Sequence, residues 1–202
     1  LAEIVIPDSV TEIGESAFKG CTSLSKVKLP KNLTGINWGV FSDCKSLAEI
    51  VIPDSVTSIG EYAFSGCTSL SKVKLSNSLT IIEAGTFSGC TSLTEIVIPD
   101  SVTEIRGRWE GYYQYYVGAF SGCTSMKSIT IGSGVEGVDY SFISLCRGLA
   151  NINVSPNNKN YSSIDGVLFN KDGTELLAYP GGNDRSEYII PDGVTKINYE
   201  AF

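Results

Sequence analysis

Apolar and polar positions alternate along this chain on a fixed beat. In the first turn, LAEIVIPDSVTEIGESAFKGCTS, apolar residues fall at Leu1, Ile4 and Ile6, again at Val10 and Ile13, and again at Ala17 and Phe18. Segments 24–29, 47–52, 70–75 and 93–98 repeat the first triplet, with apolar residues in their first, fourth and sixth places. The fourth and sixth places have the period-two spacing of a short strand with one buried face. Proline follows at Pro7, Pro30, Pro53 and Pro99, where a missing amide donor ends strand pairing. The second apolar pair predicts another short strand on an opposite wall. Phe18, Phe41, Phe64, Phe87 and Phe120 each stand three residues before a cysteine, which predicts an aromatic stack inside the coil. One such turn cannot bury its apolar face alone, but stacked turns can.

The cysteines measure the period. Cys21, Cys44, Cys67, Cys90, Cys123 and Cys146 are separated by 23, 23, 23, 33 and 23 residues. A repeat of this length with Leu and Ile at fixed places marks a leucine-rich-repeat solenoid. The pattern LxEIxIPxSVTxIGxxAFxGCxSL resembles the BspA-like, or Treponema-type, leucine-rich-repeat family over practically the whole chain. Departures occur at Ser76, where proline is expected, and at Ile143, where phenylalanine is expected. The resemblance implies a right-handed, β-rich solenoid with a parallel concave sheet, short strands on the convex wall and little helix. It also implies a secreted or cell-surface protein of an anaerobic bacterium or a protist, serving adhesion or host interaction. The expected organisation is one domain over 1–202: regular 23-residue turns across 1–154, a ten-residue insertion near 106–116, an irregular unit at 155–182 and a returning repeat at 183–202. In the irregular unit, VLFN and TELLAYP flank Lys171, Asp172 and Gly173, which predicts a two-stranded hairpin around 166–179. The chain starts inside a repeat and stops where GC would follow, as expected of a mature fragment or excised domain.

A second layer doubles the period. The strand positions between the apolar ones read Glu3 and Val5, Lys26 and Lys28, Glu49 and Val51, Lys72 and Lys74, Glu95 and Val97. On neighbouring parallel strands, Glu3, Lys26, Glu49, Lys72 and Glu95 would form a ladder of alternating sign, at about 0.2–1 kcal/mol per pair. The stems of Lys28 and Lys74 would cover the adjacent valines. These seven charged residues form a secondary binding candidate on the concave face. A self-satisfied, solvated sheet is the stronger reading there, because paired charges must be desolvated again before a ligand can use them.

The insertion reads RGRWEGYYQYY and supplies the primary candidate: Arg106, Arg108, Trp109, Tyr112, Tyr113, Tyr115 and Tyr116. Trp, Tyr and Arg dominate binding hot spots, and Tyr offers large contact area for little rotamer entropy. Five rings can bury about 150–250 Å² each. Even half that area left exposed, about 500 Å², would match the largest patch on a typical monomer. Local packing on the solenoid flank and recognition of a partner both remain open at this level. So do a glycan stacked on the rings and a protein anchored by the cluster.

Composition removes other functions. The 202 residues carry a net charge of −7, so no basic excess exists to displace counterions from a nucleic acid. No apolar run approaches the roughly 20 residues that span a bilayer, and membrane insertion is not expected. The chain has no histidine, which excludes a Ser-His or Cys-His nucleophile and strips zinc sites of ligands. Asp8, Asp54 and Asp100 recur in IPDSV, but Lys31 and Asn77 replace them in alternate turns. They read as turn formers rather than calcium ligands. No catalytic residue, metal or cofactor is therefore expected. One cysteine per turn at one repeat position is expected to form a stack of buried free thiols. Two readings remain: a non-enzymatic module binding a protein or glycan ligand, or a structural spacer or display stalk in a larger surface protein. Oligomeric state stays open.

Overall fold

The computed structural model describes residues 1–111 and 115–202 as a β-solenoid, with no helix among them. The first wall is built from Glu3–Val5, Lys26–Lys28, Glu49–Val51, Lys72–Lys74, Glu95–Val97, Ser128–Ile131 and Asn151–Val154. The second wall is a five-stranded parallel sheet of Gly35–Ile36, Ser58–Ile59, Ile81–Ile82, Glu104–Ile105 and Gly137–Val138. These strands lie where the apolar triplet and the apolar pair predict them. The doubled period also appears in the backbone, because the first wall pairs as two doublets and a triplet rather than one continuous sheet. In each group the amide after the first strand extends the pairing: Ile6, Ile52 and Ile98 donate to the carbonyls of Lys28, Lys74 and Thr130.

The interior is a set of columns, one residue per turn. Leu24, Leu47, Leu70, Leu93, Met126 and Leu149 form one fully buried column, and Leu33, Val56, Leu79, Val102 and Val135 form another. Phe18, Phe41, Phe64, Phe87 and Phe120 stack at successive centroid distances of 5.3, 5.4, 5.5 and 5.6 Å with nearly parallel rings. Beside them, the thiols of Cys44, Cys67, Cys90, Cys123 and Cys146 each donate to the carbonyl of the phenylalanine one turn earlier, at 3.1–3.2 Å. Burial first, then the neighbouring thiol, pushes Cys44 up to about 11 and Cys67 up to about 12.

The two departures from the repeat are absorbed locally. Ser76, replacing proline, is fully buried and donates its hydroxyl to the Val56 carbonyl at 2.6 Å. At Ile143 the neighbouring Phe142 takes the buried place, at 1% exposure, and Ile143 stays half-buried.

The irregular unit starts on Asn158, which is 1% exposed. Its amide nitrogen donates to the carbonyls of Gly132 and Val135, and its oxygen accepts the amides of Asn160 and Tyr161. Every hydrogen-bonding position of this side chain is used, so a polar residue can sit in an apolar column. Three antiparallel strands follow, Tyr161–Ile164, Val167–Asn170 and Glu175–Ala178. The expected two-stranded hairpin is thus one strand short. The additional strand is joined through Asp165 and Gly166, both at positive φ, the backbone that a two-residue hairpin turn requires. The chain then rejoins the stack, with Lys196–Ile197 pairing in parallel to Glu175–Ala178.

Candidate functional site

The insertion leaves the second wall after Ile105 as an antiparallel hairpin of Gly107–Glu110 and Tyr115–Gly118. Both ends are glycines because the next turn crowds them. A Cβ on Gly107 would collide with Asp139 and Ser141, and one on Gly118 with the Ser141 carbonyl. Register places Arg108 opposite Val117 and Trp109 opposite Tyr116. Val117 is buried, at 5% exposure. Trp109 and Tyr116 pack on each other at 4.9 Å and remain 49% and 48% exposed.

Two arginines tie the hairpin down. Arg106 reaches Glu83 and Glu104, each at 2.8 Å, and the Glu104 hydrogen bond holds its guanidinium above its ordinary range. Arg108 reaches Glu61, 47 residues earlier, so the hairpin leans back across two turns. Pairs this exposed contribute about 0–1 kcal/mol each, and serve more to orient than to stabilise.

Leaning back, the hairpin encloses a groove of about 940 Å³ along the flank of the solenoid. Arg108, Tyr116 and Val117 form its hairpin side. Its floor is the turn before each cysteine, where Ser42, Ser65, Ser88, Ser121 and Ser144 form a column with one serine per turn. Trp38 and Tyr62 stand over this floor, edge to face at 6.5 Å. Lys19 lies 5.3 Å from the Trp38 ring centre. The Tyr62 ring lies against Gly85, close enough that a Cβ there would overlap it.

The model of the BspA type leucine rich repeat region matches residues 1–109 and 111–175 in six copies. The chain belongs to this family. Its fold is similar to that of a leucine-rich repeat protein from Eubacterium ventriosum, with TM-score 0.75 and 28% identity over 87% of this chain and 44% of that one. The leucine-rich repeat protein of T. pallidum is similar at TM-score 0.65 and 32% identity, over 75% of this chain and 69% of that one. A leucine rich cell surface protein from Faecalibacterium prausnitzii is similar at TM-score 0.60 and 30% identity, over 77% of this chain and 48% of that one. The chain spans less than half the length of the Eubacterium and Faecalibacterium proteins. No curated protein matches the chain.

Within this BspA-type solenoid the sequence candidates separate. Arg108 and Tyr116 border the groove, Trp109 packs against Tyr116, and Arg106 turns to the carboxylates of the second wall. Tyr112 and Tyr113 lie outside the described residues, as does the side chain of Tyr115. On the first wall, Glu3 faces Lys26 and Glu49 faces Lys72 in register, all exposed. Among the described residues, however, no ion pair closes along Glu3, Lys26, Glu49, Lys72 and Glu95, because solvated side chains gain little by holding one geometry. Lys28 and Lys74 do not cover their neighbours either. Val5, Val51 and Val97 remain 69%, 59% and 65% exposed. Trp38, Tyr62 and Lys19 were not singled out by the sequence. The only signal for Trp38 and Tyr62 is a bulky residue in the variable positions just before the stacked phenylalanine, and Lys19 stands where later turns carry serine.

Among the described residues no group of three or more acidic or cysteine side chains is placed to hold a metal ion. No helix among them is long and apolar enough to cross a membrane.

Proposed function

We propose that this solenoid is a non-enzymatic binding module of a secreted or cell-surface protein, and that the flank groove seats its ligand. The observation that carries this reading is the groove itself. Ten residues break the period of the regular turns across 1–154 and fold back to wall a concave, aromatic-rimmed surface, and concave sites with few placed polar groups are where ligands bind. The similar Faecalibacterium protein, described as a cell surface protein, supports the location. The first wall is the weaker site, since it is open, solvated and lined by exposed lysines, glutamates and valines.

One observation favours a second reading. The arginines of the insertion are bound to Glu61, Glu83 and Glu104, so the hairpin could serve as a brace that stiffens a spacer or display stalk. Arrays of glycans and immobilised matrix proteins probed with the wild type, Trp38→Ala and Lys26→Ala/Lys72→Ala separate the two. The binding reading expects retention that Trp38→Ala weakens and the lysine variant keeps. Retention that survives Trp38→Ala and fails with the lysine variant would move the site to the first wall.

A further inference from the structure

We infer that the ligand of the flank groove is a linear glycan lying along the solenoid axis; this deepens, and rests on, the reading of that groove as the binding site. The hydroxyl column on the floor leads to it. Ser25, Ser55, Ser71 and Ser101, away from the groove, each donate to a carbonyl one turn back. On the groove floor, Ser121 accepts the Gly118 amide, but the hydroxyls of Ser42, Ser65, Ser88 and Ser144 have no partner among the described residues. With Ser121 the column has one serine per turn, Ser42 being its buried end, and the turns are spaced by 5.3–5.6 Å at the phenylalanine stack. Hydroxyls at the repeat interval beside half-exposed aromatic rings suit a polymer with polar edges and apolar faces at a similar interval. A chain of sugar rings has both.

The same geometry disfavours a peptide. Alternate side chains of an extended strand recur at about 6.6–6.8 Å. That exceeds the turn spacing by about 1 Å, and over the four intervals from Ser42 to Ser144 the mismatch grows to more than one residue. A strand would also need an unpaired backbone edge to join. The floor offers none at its glycines: Gly39, Gly66, Gly89 and Gly122 donate their amides to Glu61, Ser88, Ser121 and Ser144 of the next turn. A docked amphipathic helix needs an apolar floor, and this one is serine and glycine. Charge further narrows the sugar class. The chain has 22 acidic residues, yet among the described residues the groove is lined by Lys19 and the Glu61-bound Arg108 and by no carboxylate. Carboxylated sugars are therefore admitted along with neutral ones.

Calorimetric titration of the whole chain with linear gluco-, manno-, chito- and uronic-acid oligosaccharides of two to eight rings tests this. The expected result is an affinity that climbs with chain length until the groove is filled, and then levels. Trp38→Ala, at an exposed position, should weaken it about tenfold, as loss of one aromatic anchor does. Ser65→Leu/Ser88→Leu should weaken it as well, with circular dichroism confirming the fold. If no oligosaccharide binds at millimolar concentration, the glycan assignment is overturned. If linear peptides from a displayed library bind instead and Trp38→Ala releases them, the groove remains the site and only the ligand class is wrong. Glycan binding untouched by both groove variants would overturn the site and its ligand class together.

Discussion

Excising residues 107–116 and joining Arg106 to Val117 restores the 23-residue period, and the folded solenoid should barely register the loss. The deletion removes one arginine and one glutamate, so the net charge stays at −7. It removes the Arg108–Glu61 pair, whose side chains are 54% and 29% exposed and which contributes about 0.2–1 kcal/mol at such a surface. It removes the Trp109–Tyr116 contact, about 0.5–1.5 kcal/mol between rings that are half in water. Against these losses, the conformational entropy cost of holding a surface hairpin in place is no longer incurred. The buried Val117 and Gly118, which the next turn crowds, are kept, and so are the Arg106 pairs to Glu83 and Glu104. The net change should lie within about 1 kcal/mol, a Tm shift of about 2–4 °C for a chain of this size. Urea unfolding followed by circular dichroism measures it, together with an m-value nearly unchanged because little buried surface is lost. A destabilisation above about 3 kcal/mol, the scale of a core truncation, would refute this and make the hairpin a structural clamp.

Other outcomes follow from the columns. Phe64→Ala, between two stacked rings and fully buried, should cost about 3–5 kcal/mol in the same unfolding assay, whereas Phe18→Ala, half-buried with one stacked partner, should cost clearly less. In the native protein an alkylating reagent at pH 8 should label Cys21, the half-exposed thiol, and leave the other five until denaturant is added, which mass spectrometry counts. Because the folded-state pKa values of Cys44 and Cys67 are raised to about 11 and about 12 from an ordinary 9.0, the unfolded chain ionises first. Stability should be intact below about pH 9 and decline as pH rises toward 11–12, and Cys67→Val should flatten that decline. The Asp100 carboxylate accepts the Ser133 amide, which lowers its pKa below the ordinary 3.8. Its contribution is present at neutral pH and lost as pH falls through that lowered value, so Asp100→Asn should weaken the acid dependence of the melting temperature.

The solenoid was legible because the information is repeated. Each turn carries its own copy of the strand triplet, the second-wall pair, the phenylalanine and the cysteine, and equivalent residues meet their equivalents one turn away. The hairpin at 166–179 was legible from Asp172 and Gly173, yet the same dipeptide at Asp165 and Gly166 went unread, and with it the third strand. The valine column was misjudged because covering it would require Lys28 and Lys74 to lie along the sheet, and solvated lysines have no reason to. The groove was the least legible part. Trp38 and Tyr62 occupy positions that other turns fill with Glu15, Ser16, Ala84 and Gly85. They become a site only because Arg108 reaches Glu61 across two turns, a contact that no periodic pattern encodes.

The chain has two tryptophans, and that allows a direct test of where the ligand sits. In Trp109→Phe the remaining indole is Trp38, on the groove, so its fluorescence reports that site alone. Titrated with the tightest-binding oligosaccharide, Trp38 emission should shift and saturate at the same Kd that calorimetry gives. Full binding by calorimetry with Trp38 emission unchanged would contradict a ligand seated in the flank groove.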